Sequence, residues 1–178
     1  MITFTGSTVV GKLMLQYAGQ SNMKVVMTEC GGKSPQIVFA DGVNLDTTAD
    51  AIADSILTNQ GQVCSAGTRL LVQQPIQDAL IDRIVDRFNN VVVGDPLNPN
   101  TTFGPVVTEQ QCNKIMHYIE TARADGAEVI TGGERLLLET GGYFVAPTLL
   151  RNVKPNAKVA QEEIFGPILS VISFKTDD

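Results

Sequence analysis

The sequence predicts an α/β fold in which helices cover a layered, largely parallel sheet. Strand-like segments alternate with helix-like segments along the 178 residues, which is the pattern of α/β proteins. The strand-like segments are almost continuously apolar rather than alternating, as expected for a sheet that is covered on both faces. A chain of this length can bury its own core without disulfides or metals.

The first half of the chain alternates four short strands with two helices. The strands are predicted at residues 2–5, 24–28, 36–40 and 68–73. A turn at Gly6 introduces the first helix, on which apolar residues recur every three or four positions: Val10, Leu13, Met14 and Tyr17. The second helix is predicted at 46–59, with Asn44 or Asp46 as its N-cap.

The second half is predicted to contain two helices and three strands around a proline-rich loop. Pro75 suits the first turn of one helix. Thr108 can cap the other, which Gly126 would close. The loop between the helices, 94–105, contains three prolines. The strands are predicted at 128–131, 143–150 and 167–174, with a hairpin or surface excursion at 132–142.

The composition excludes several classes of protein. The chain has 13 basic and 19 acidic residues, a formal net charge of -6, and no basic stripe, so no nucleic-acid partner is expected. No apolar run approaches the ~18 residues of a bilayer span, so no membrane partner is expected either. Because no secretory signal is recognisable, the default location is cytoplasmic.

Three cysteines and one histidine give little support to metal or disulfide chemistry. Cys30, Cys64 and Cys112 lie far apart and form no C-x-x-C pair. Neither a zinc site nor a disulfide framework is therefore expected. His117 falls on a predicted helix, where we expect a partly exposed side chain rather than the base of a Ser-His-Asp triad.

Residues 6–13 nearly match a phosphate-binding loop. The pattern G-x-x-x-x-G-K-[ST] fails at Leu13, where a Mg²⁺-binding hydroxyl should stand, and Gly6 and Gly11 do not fit G-x-G-x-x-G. A glycine turn between a strand and a helix can still present backbone N–H groups to a pyrophosphate. A structural turn and a phosphate contact both remain open, and a P-loop nucleotide hydrolase is a rival interpretation.

Cys64 is the strongest candidate for a nucleophile. It lies in a stretch of small residues, 59–67, that follows the second predicted helix. Small neighbours would let a substrate carbon approach the sulfur, although a thiol nucleophile also needs a helix end, a cation or a base nearby. The alternative is a buried, inert cysteine.

Two further segments carry carboxylates beside glycine turns. Glu29 ends a predicted strand, at the rim of a sheet where α/β sites gather. Glu163 precedes Phe165 and a Gly-Pro turn. A carboxylate there can accept hydrogen bonds from ribose hydroxyls, and an aromatic side chain can support a flat ring. Each segment can equally be structural, as a surface turn or as a helix end that leads into a strand.

Together these four segments resemble the aldehyde dehydrogenase superfamily. In chain order they are Phe4-Thr5-Gly6-Ser7-Thr8, Glu29-x-Gly31-Gly32-Lys33-Ser34-Pro35, Gly61-Gln62-Val63-Cys64 and Glu163-Ile164-Phe165-Gly166-Pro167. Weaker family-like strings lie between them, Gly94-Asp95-Pro96 with Phe103-Gly104-Pro105, and Gly142-Tyr143-Phe144-Val145-Ala146-Pro147-Thr148. The strings follow the family's order over nearly the whole chain, which a single motif could not establish.

The resemblance implies NAD(P)-dependent oxidation of an aldehyde to a carboxylic acid. Cys64 resembles the nucleophile that forms a thiohemiacetal and then a thioester, and its backbone N–H resembles half of the oxyanion hole. Glu29 resembles the general base for thioester hydrolysis. The resemblance implies NAD or NADP as cofactor, with Gly6, Ser7, Gly11, Glu163 and Phe165 as cofactor-binding residues.

The family chain is far longer, so we expect only part of it here. Residues 1–29 would be a remnant of the dinucleotide-binding domain, and residues 30–178 the catalytic domain without its C-terminal end. Such an isolated chain is expected to bind NAD poorly and to turn over slowly or not at all. Cys30 stands where the family usually has leucine, a change that packing should tolerate.

Two alternatives remain at this point. The chain could be a non-catalytic truncated fold that acts only in self-association or subunit assembly. It could also release its acyl group to coenzyme A, although the retained Glu29 favours hydrolysis. The expected partner is a small-molecule aldehyde, and the resemblance implies a homo-oligomer. The sequence is also similar to the branches that oxidise betaine aldehyde and aminobutyraldehyde.

Overall fold

Two units make up the chain in the computed structural model, which describes residues 1–176. The first unit is Met1–Gly32 and the second is Lys33–Asp178. This division falls three residues after the predicted domain boundary between residues 29 and 30. The predicted end of the catalytic domain, at residues 177–178, lies outside the described residues.

The first unit is a strand–helix–strand unit. Strand β1 (Ile2–Gly6) pairs in parallel with β2 (Val26–Cys30), and helix α1 (Thr8–Gln20) connects them. Ser7 is the N-cap of α1, because its side chain accepts a hydrogen bond from the backbone N–H of Val10. The order of elements matches the prediction, although β2 begins two residues later than expected.

The second unit contains a five-stranded sheet and a separate hairpin. Its strands are β3 (Pro35–Val38), β4 (Arg69–Gln73), β5 (Glu128–Thr131), β6 (Arg135–Leu136), β7 (Phe144–Val145), β8 (Thr148–Arg151) and β9 (Ile168–Phe174). The sheet has the order β3-β4-β9-β8-β5. Adjacent strands in this sheet run parallel, except that β5 and β8 are antiparallel, which confirms the prediction of a largely parallel sheet.

Four α-helices pack around this sheet. They are α2 (Leu45–Leu57), α3 (Gln77–Asn89), α4 (Glu109–Ala124) and α5 (Lys158–Gln161). Asn44, rather than Asp46, caps α2, and Thr108 caps α4 as predicted. Pro75 lies in a short 3-10 turn that leads into α3. None of the helices in the described part of the chain has both the length and the apolar character that crossing a bilayer requires.

Two apolar clusters cover opposite faces of the five-stranded sheet. Leu149 belongs to the cluster formed with α2 and α3, whereas the next residue, Leu150, belongs to the cluster formed with α4 and α5. Likewise, Ile168 belongs to the cluster with α4 and α5, and Leu169 to the cluster with α2 and α3. Because successive side chains of a strand point to opposite faces, helices cover both sides of the sheet. This explains why the strands are continuously apolar.

Besides shifts of one or two residues at several strand ends, one predicted strand is divided and one predicted helix is shorter. Residues 143–150 form two strands rather than one, since β7 pairs with β6 in the hairpin and β8 joins the sheet. Pro147 separates them, with no N–H to donate to a ladder. Helix α2 ends at Leu57 rather than at residue 59, because Asn59 and Gln60 have left-handed backbone angles.

Candidate active site

Three segments of the second unit meet at one edge of its sheet, by which we mean the edge formed by the amino-terminal ends of its parallel strands. The residues before β3 include Lys33, those before β4 include Cys64, and those before β9 include Glu163 and Phe165. Because β3, β4 and β9 are parallel neighbours, their first residues lie along the same edge. The sheet topology therefore brings the candidate nucleophile and the Glu163–Phe165 turn to the same side of the unit.

Cys64 lies in a tight turn with its side chain exposed. The turn spans Val63–Ala66 and is closed by the hydrogen bond from the N–H of Ala66 to the carbonyl of Val63, at 3.1 Å. Cys30 is only partly exposed and Cys112 is buried, so the thiol in the predicted position is also the accessible one. Within residues 1–176, the backbone N–H of Cys64 donates to no acceptor. Sulfur and an available N–H donor thus occupy one turn.

The chain enters this turn through three consecutive left-handed residues. Asn59, Gln60 and Gly61 have φ angles of 50°, 55° and 67°. A β-carbon at Gly61 would overlap the carbonyl of Gly166 and would lie 2.9 Å from the nitrogen of Pro167. Only glycine fits this position, because it needs both a positive φ and a close backbone approach. Left-handed non-glycine residues are strained, and such strain is typical of functional sites.

Hydrogen bonds from two side chains hold the chain where it leaves the turn. The backbone N–H of Gly67 donates to Oγ of Ser55, at 2.8 Å, and the carbonyl of Gly67 accepts from Nε2 of Gln36, at 2.7 Å. Ser55 belongs to α2 and Gln36 to β3. The Cys64 turn is therefore attached to both a helix and a strand.

The Glu163–Phe165 turn is held by side chains of α4. Nε2 of Gln111 donates to the carbonyls of Ile164 and Phe165, at 2.8 and 2.7 Å. Nζ of Lys114 donates to the carbonyl of Glu163, at 3.1 Å. Phe165 itself has a φ of 63°, so these bonds hold a residue in the left-handed region.

Sequence reasoning missed Gln111 and Lys114. With Tyr118 they follow the spacing i, i+3, i+7, which places polar atoms on one face of α4. The hydroxyl of Tyr118 donates to Oε2 of Glu162 at 2.6 Å, so this face contacts the same turn at a third point. A search for polar side chains at helical spacing could have found the stripe, but the sequence alone would not have shown what it contacts.

Lys33 carries the largest electrostatic perturbation near this edge. The pKa of its ammonium is lowered from 10.5 to about 8, chiefly by burial; the positive charges of Arg69 and Lys114 contribute to the lowering, and the charge of Glu163 opposes it. Nζ of Lys33 is buried and makes no hydrogen bond among the described residues. On the adjacent helix, burial and the hydrogen bond to Glu162 raise the pKa of Tyr118 to about 12.

In the first unit, Glu29 lies on the open face of the two-stranded sheet. Glu29, on β2, pairs in register with Thr5 on β1, and the side chain of Glu29 is exposed. Cys30, the next residue, faces α1, so Glu29 points to the face that α1 does not cover. A cavity of about 440 Å³ on that face is lined by Thr3, Phe4, Thr5, Met27, Thr28 and Glu29.

The other candidates of the first unit lie where its first strand meets its helix. Gly6 ends β1 and Ser7 caps α1, so both stand at the positive end of a 13-residue helix. Gly11 lies inside α1 and is buried. A β-carbon at Gly11 would lie 2.7 Å from Sγ of Cys30, so the absence of a side chain lets the helix lie close to β2.

The remaining predictions concern metals and the histidine. Among residues 1–176, no group of three His, Cys, Asp or Glu residues is arranged to hold a metal ion. His117 lies on α4 and is exposed, as predicted for a helical histidine. Leu13, the position that breaks the phosphate-loop pattern, is 38% exposed on α1.

The chain is similar to known proteins along its whole length. The family model described as "Aldehyde dehydrogenase family" matches residues 1–178. Human retinal dehydrogenase 2 is 44% identical over 177 residues, which cover 99% of this chain and 34% of that protein.

Solved structures give the same result. The aldehyde dehydrogenase KauB of Pseudomonas aeruginosa is 48% identical with a TM-score of 0.95, and the match covers 98% of this chain and 35% of that chain. A mutant of the P. syringae indole-3-acetaldehyde dehydrogenase AldA, in complex with NAD+ and IAA, is 46% identical with a TM-score of 0.95 and the same coverage. The chain thus spans about a third of the length of the relatives it matches.

Proposed function

Because the chain belongs to the aldehyde dehydrogenase family, we propose that it carries the nucleophile and general base for NAD(P)-dependent oxidation of an aldehyde to a carboxylic acid. The observation that carries the proposal is the position of Cys64. Its exposed thiol shares one firmly held turn with its backbone N–H, which meets no acceptor in the described part of the chain, and Glu163 and Phe165 lie at the same sheet edge.

Cys64 is proposed as the nucleophile. The thiol proton passes to solvent and the thiolate attacks the aldehyde carbonyl carbon. A carbon–sulfur bond forms, the carbonyl π bond breaks, and the resulting thiohemiacetal carries negative charge on the former carbonyl oxygen. A backbone N–H donor beside that oxygen stabilises the charge, and the N–H of Cys64 is available for this role. Loss of hydride from the thiohemiacetal carbon leaves a thioester on Cys64, which water must cleave to release the acid.

NAD or NADP, when bound, supplies the hydride acceptor. The residues present suit such a group. Gly6 and Ser7 stand at the N-terminus of α1, where free N–H groups and the helix dipole favour a pyrophosphate. Glu163 offers a carboxylate for ribose hydroxyls, and Phe165 an aromatic ring, on the turn that α4 holds. Gly11 contributes by letting α1 approach β2.

Glu29 is proposed as the general base. An exposed carboxylate beside a water-accessible cavity can take a proton from the water that attacks the thioester. The proton then leaves to solvent, the carbon–sulfur bond breaks, and the thiol of Cys64 is restored. This role favours hydrolysis over transfer of the acyl group to coenzyme A.

The substrate is proposed to be a small-molecule aldehyde. Similar proteins include a retinal dehydrogenase and an indole-3-acetaldehyde dehydrogenase, whose names refer to very different aldehydes. Val63 and Ser65, which flank Cys64, are small and neutral.

The domain assignment (1–29 nucleotide-binding, 30–178 catalytic), a homo-oligomeric state and a cytoplasmic location also stay proposals.

Ester acylation tests the nucleophile without requiring the cofactor. The chain is treated with p-nitrophenyl acetate, and the acetylated residue is identified by mass spectrometry alongside Cys64→Ala. We expect acetylation at Cys64 and loss of p-nitrophenolate release in the variant. Equal acetylation of the three cysteines, or undiminished release by Cys64→Ala, would contradict the proposal.

NADH formation from the same samples, with NAD+ and a panel of short, aromatic and amino aldehydes, measures whether the chain completes the reaction alone. NADH formed by the wild type and not by Cys64→Ala would support oxidation through this cysteine. Acetylation of Cys64 without NADH formation would favour the view that the chain carries the thiol chemistry only.

A further inference from the structure

The side chain of Gln62 bridges two separate parts of the second unit. It is only 9% exposed, one of few buried polar residues in the described chain. Its Oε1 accepts a hydrogen bond from the backbone N–H of Val107, at 3.0 Å, and its Nε2 donates to the carbonyl of Asn59, at 3.3 Å. A buried amide is favourable only when both its ends are satisfied, and here both are.

Gln62 and Asn59 close the strained turn between them. The backbone N–H of Gln62 donates to the carbonyl of Asn59 at 3.0 Å, and Nδ2 of Asn59 donates back to the carbonyl of Gln62 at 3.1 Å. The residues enclosed are the left-handed Gln60 and Gly61. Backbone in this region persists only where its surroundings hold it, and these reciprocal bonds do so.

The far end of the bridge is itself fixed. Val107 immediately precedes Thr108, the N-cap of α4, and the N–H of Val106 donates to the carbonyl of Tyr143 at 2.9 Å. Gln62 therefore ties the entry of the Cys64 turn to a well-anchored segment that is 45 residues away in the chain.

We propose that Gln62 is a positioning residue for Cys64. The carboxamide of Gln62 fixes the turn so that the thiol and the backbone N–H of Cys64 act on the same carbonyl group. This inference rests on the proposed role of Cys64 as nucleophile. Gln62 lies two residues before Cys64, so a rotation of the Gln62 backbone would redirect the N–H of Cys64. The amide is suited to this task because it accepts and donates at once.

Two reactions separate positioning from mere stability. Alkylation of Cys64 by iodoacetamide needs the sulfur alone, whereas acylation by p-nitrophenyl acetate also develops an oxyanion that a backbone donor must meet. Gln62→Met keeps the length of the side chain and removes both hydrogen bonds. We expect its ratio of acylation to alkylation rate constants to fall by about tenfold or more, as for loss of oxyanion-hole geometry.

Gln73 provides the matched control. Its Oε1 accepts from the N–H of Ala40, at 2.8 Å, and its Nε2 donates to the carbonyl of Lys175, at 3.3 Å, so it makes the same kind of bridge at the opposite edge of the sheet. Gln73→Met should lower stability without changing the ratio. Gln62→Glu keeps the acceptor for Val107, and we expect it to retain more of the ratio than Gln62→Met.

The outcomes are distinct. An unchanged ratio in folded Gln62→Met, or an equal fall in Gln73→Met, would overturn the positioning role while leaving Cys64 as the nucleophile. If Gln62→Met does not fold, Gln62→Glu serves instead, because it still loses the donor to the carbonyl of Asn59 and should show a lower ratio than Gln73→Met. A ratio in Gln62→Glu no lower than that in Gln73→Met has the same meaning. Failure of the wild type to acylate at Cys64 would overturn the proposed function and, with it, this inference.

Discussion

Gly61 lies directly against Gly166, with no room between the two backbones for a β-carbon. Gly61 introduces the Cys64 turn, and Gly166 ends the turn that carries Glu163 and Phe165. The two turns therefore contact each other through main chain rather than through side chains that could change rotamer. This contact sets the spacing between the proposed nucleophile and the proposed ribose-binding carboxylate.

Gly61→Ala should be strongly destabilising. The substitution places a β-carbon in the left-handed region and also into the carbonyl of Gly166, so two costs combine. We expect the free energy of unfolding to fall by about 3 kcal/mol or more, measured by guanidinium titration.

Gly42→Ala is the control for this prediction. Gly42 has nearly the same φ, 68°, but a β-carbon there would meet nothing within 4 Å. It should cost about 1 kcal/mol, the conformational cost alone. Equal losses in the two variants would show that the contact with Gly166 contributes nothing.

Gly11→Ala and Cys30→Ala should be coupled. A β-carbon at Gly11 would lie 2.7 Å from Sγ of Cys30, whereas its next neighbours, on Thr28 and Phe4, are at 3.7 and 3.9 Å, which are ordinary contacts. Gly11→Ala alone should therefore destabilise the first unit by roughly 1–3 kcal/mol. In the Cys30→Ala background the clash disappears. Alanine at position 11 should then be neutral or favourable relative to glycine, because alanine is the better helix former.

Hydrogen exchange of the α1 backbone amides measures this coupling, because it reports the local stability of the first unit separately from that of the second. The double variant should exchange more slowly than Gly11→Ala. Additive effects would mean that the sulfur is not what excludes a side chain at position 11.

Lys33 should make the stability of the second unit rise with pH. Its pKa in the folded chain is about 8 against 10.5 unfolded, so between these values the unfolded state binds more protons and stability increases with pH. Below pH 8 the full penalty is present, and it corresponds to at most roughly 3 kcal/mol.

Lys33→Met should therefore be more stable than the wild type at pH 7, by about 1–3 kcal/mol, with an advantage that shrinks from pH 8 to 10.5. Guanidinium titrations across this range measure it. Lys154→Met, at an exposed lysine, should keep the wild-type pH dependence. A Lys33→Met chain that is less stable at pH 7 would show that its ammonium has favourable partners.

Tyr118 has the opposite effect at higher pH. Its pKa is raised to about 12, so above pH 10 the unfolded chain loses the phenolic proton first, and stability falls as pH rises. Tyr118→Phe should cost about 1 kcal/mol at neutral pH through loss of the bond to Glu162, and should remove the alkaline decline. A decline that persists in Tyr118→Phe would assign it to another group.

The sequence predicted those parts of the fold that depend on local patterns. The helices that begin after Asn44 and Thr108 are capped by residues named as candidates from the sequence, because apolar periodicity and capping residues act over a few positions. The prediction of one strand at 143–150 was wrong because Pro147 interrupts it, and a proline inside a strand pattern argues against a continuous strand.

The candidate site was predictable only as residue types in an order. The four motifs locate Cys64, Glu29 and Glu163, but the contact of Gly61 with Gly166 and the bonds of Gln111 to the Phe165 turn join residues more than 50 positions apart. No local pattern encodes such contacts. They become visible once the order β3-β4-β9 places three strand beginnings on one edge.

Moving the thiol by one residue tests the central claim most directly. Ser65 is exposed in the same turn as Cys64, so Cys64→Ala/Ser65→Cys offers an accessible thiol without the Cys64 position. The measurement is the rate constant of acylation by p-nitrophenyl acetate, divided by that of alkylation, in the wild type and in this variant. Our account predicts a ratio at least about tenfold higher in the wild type. Equal ratios would contradict it, because Cys64 would then be merely an exposed cysteine.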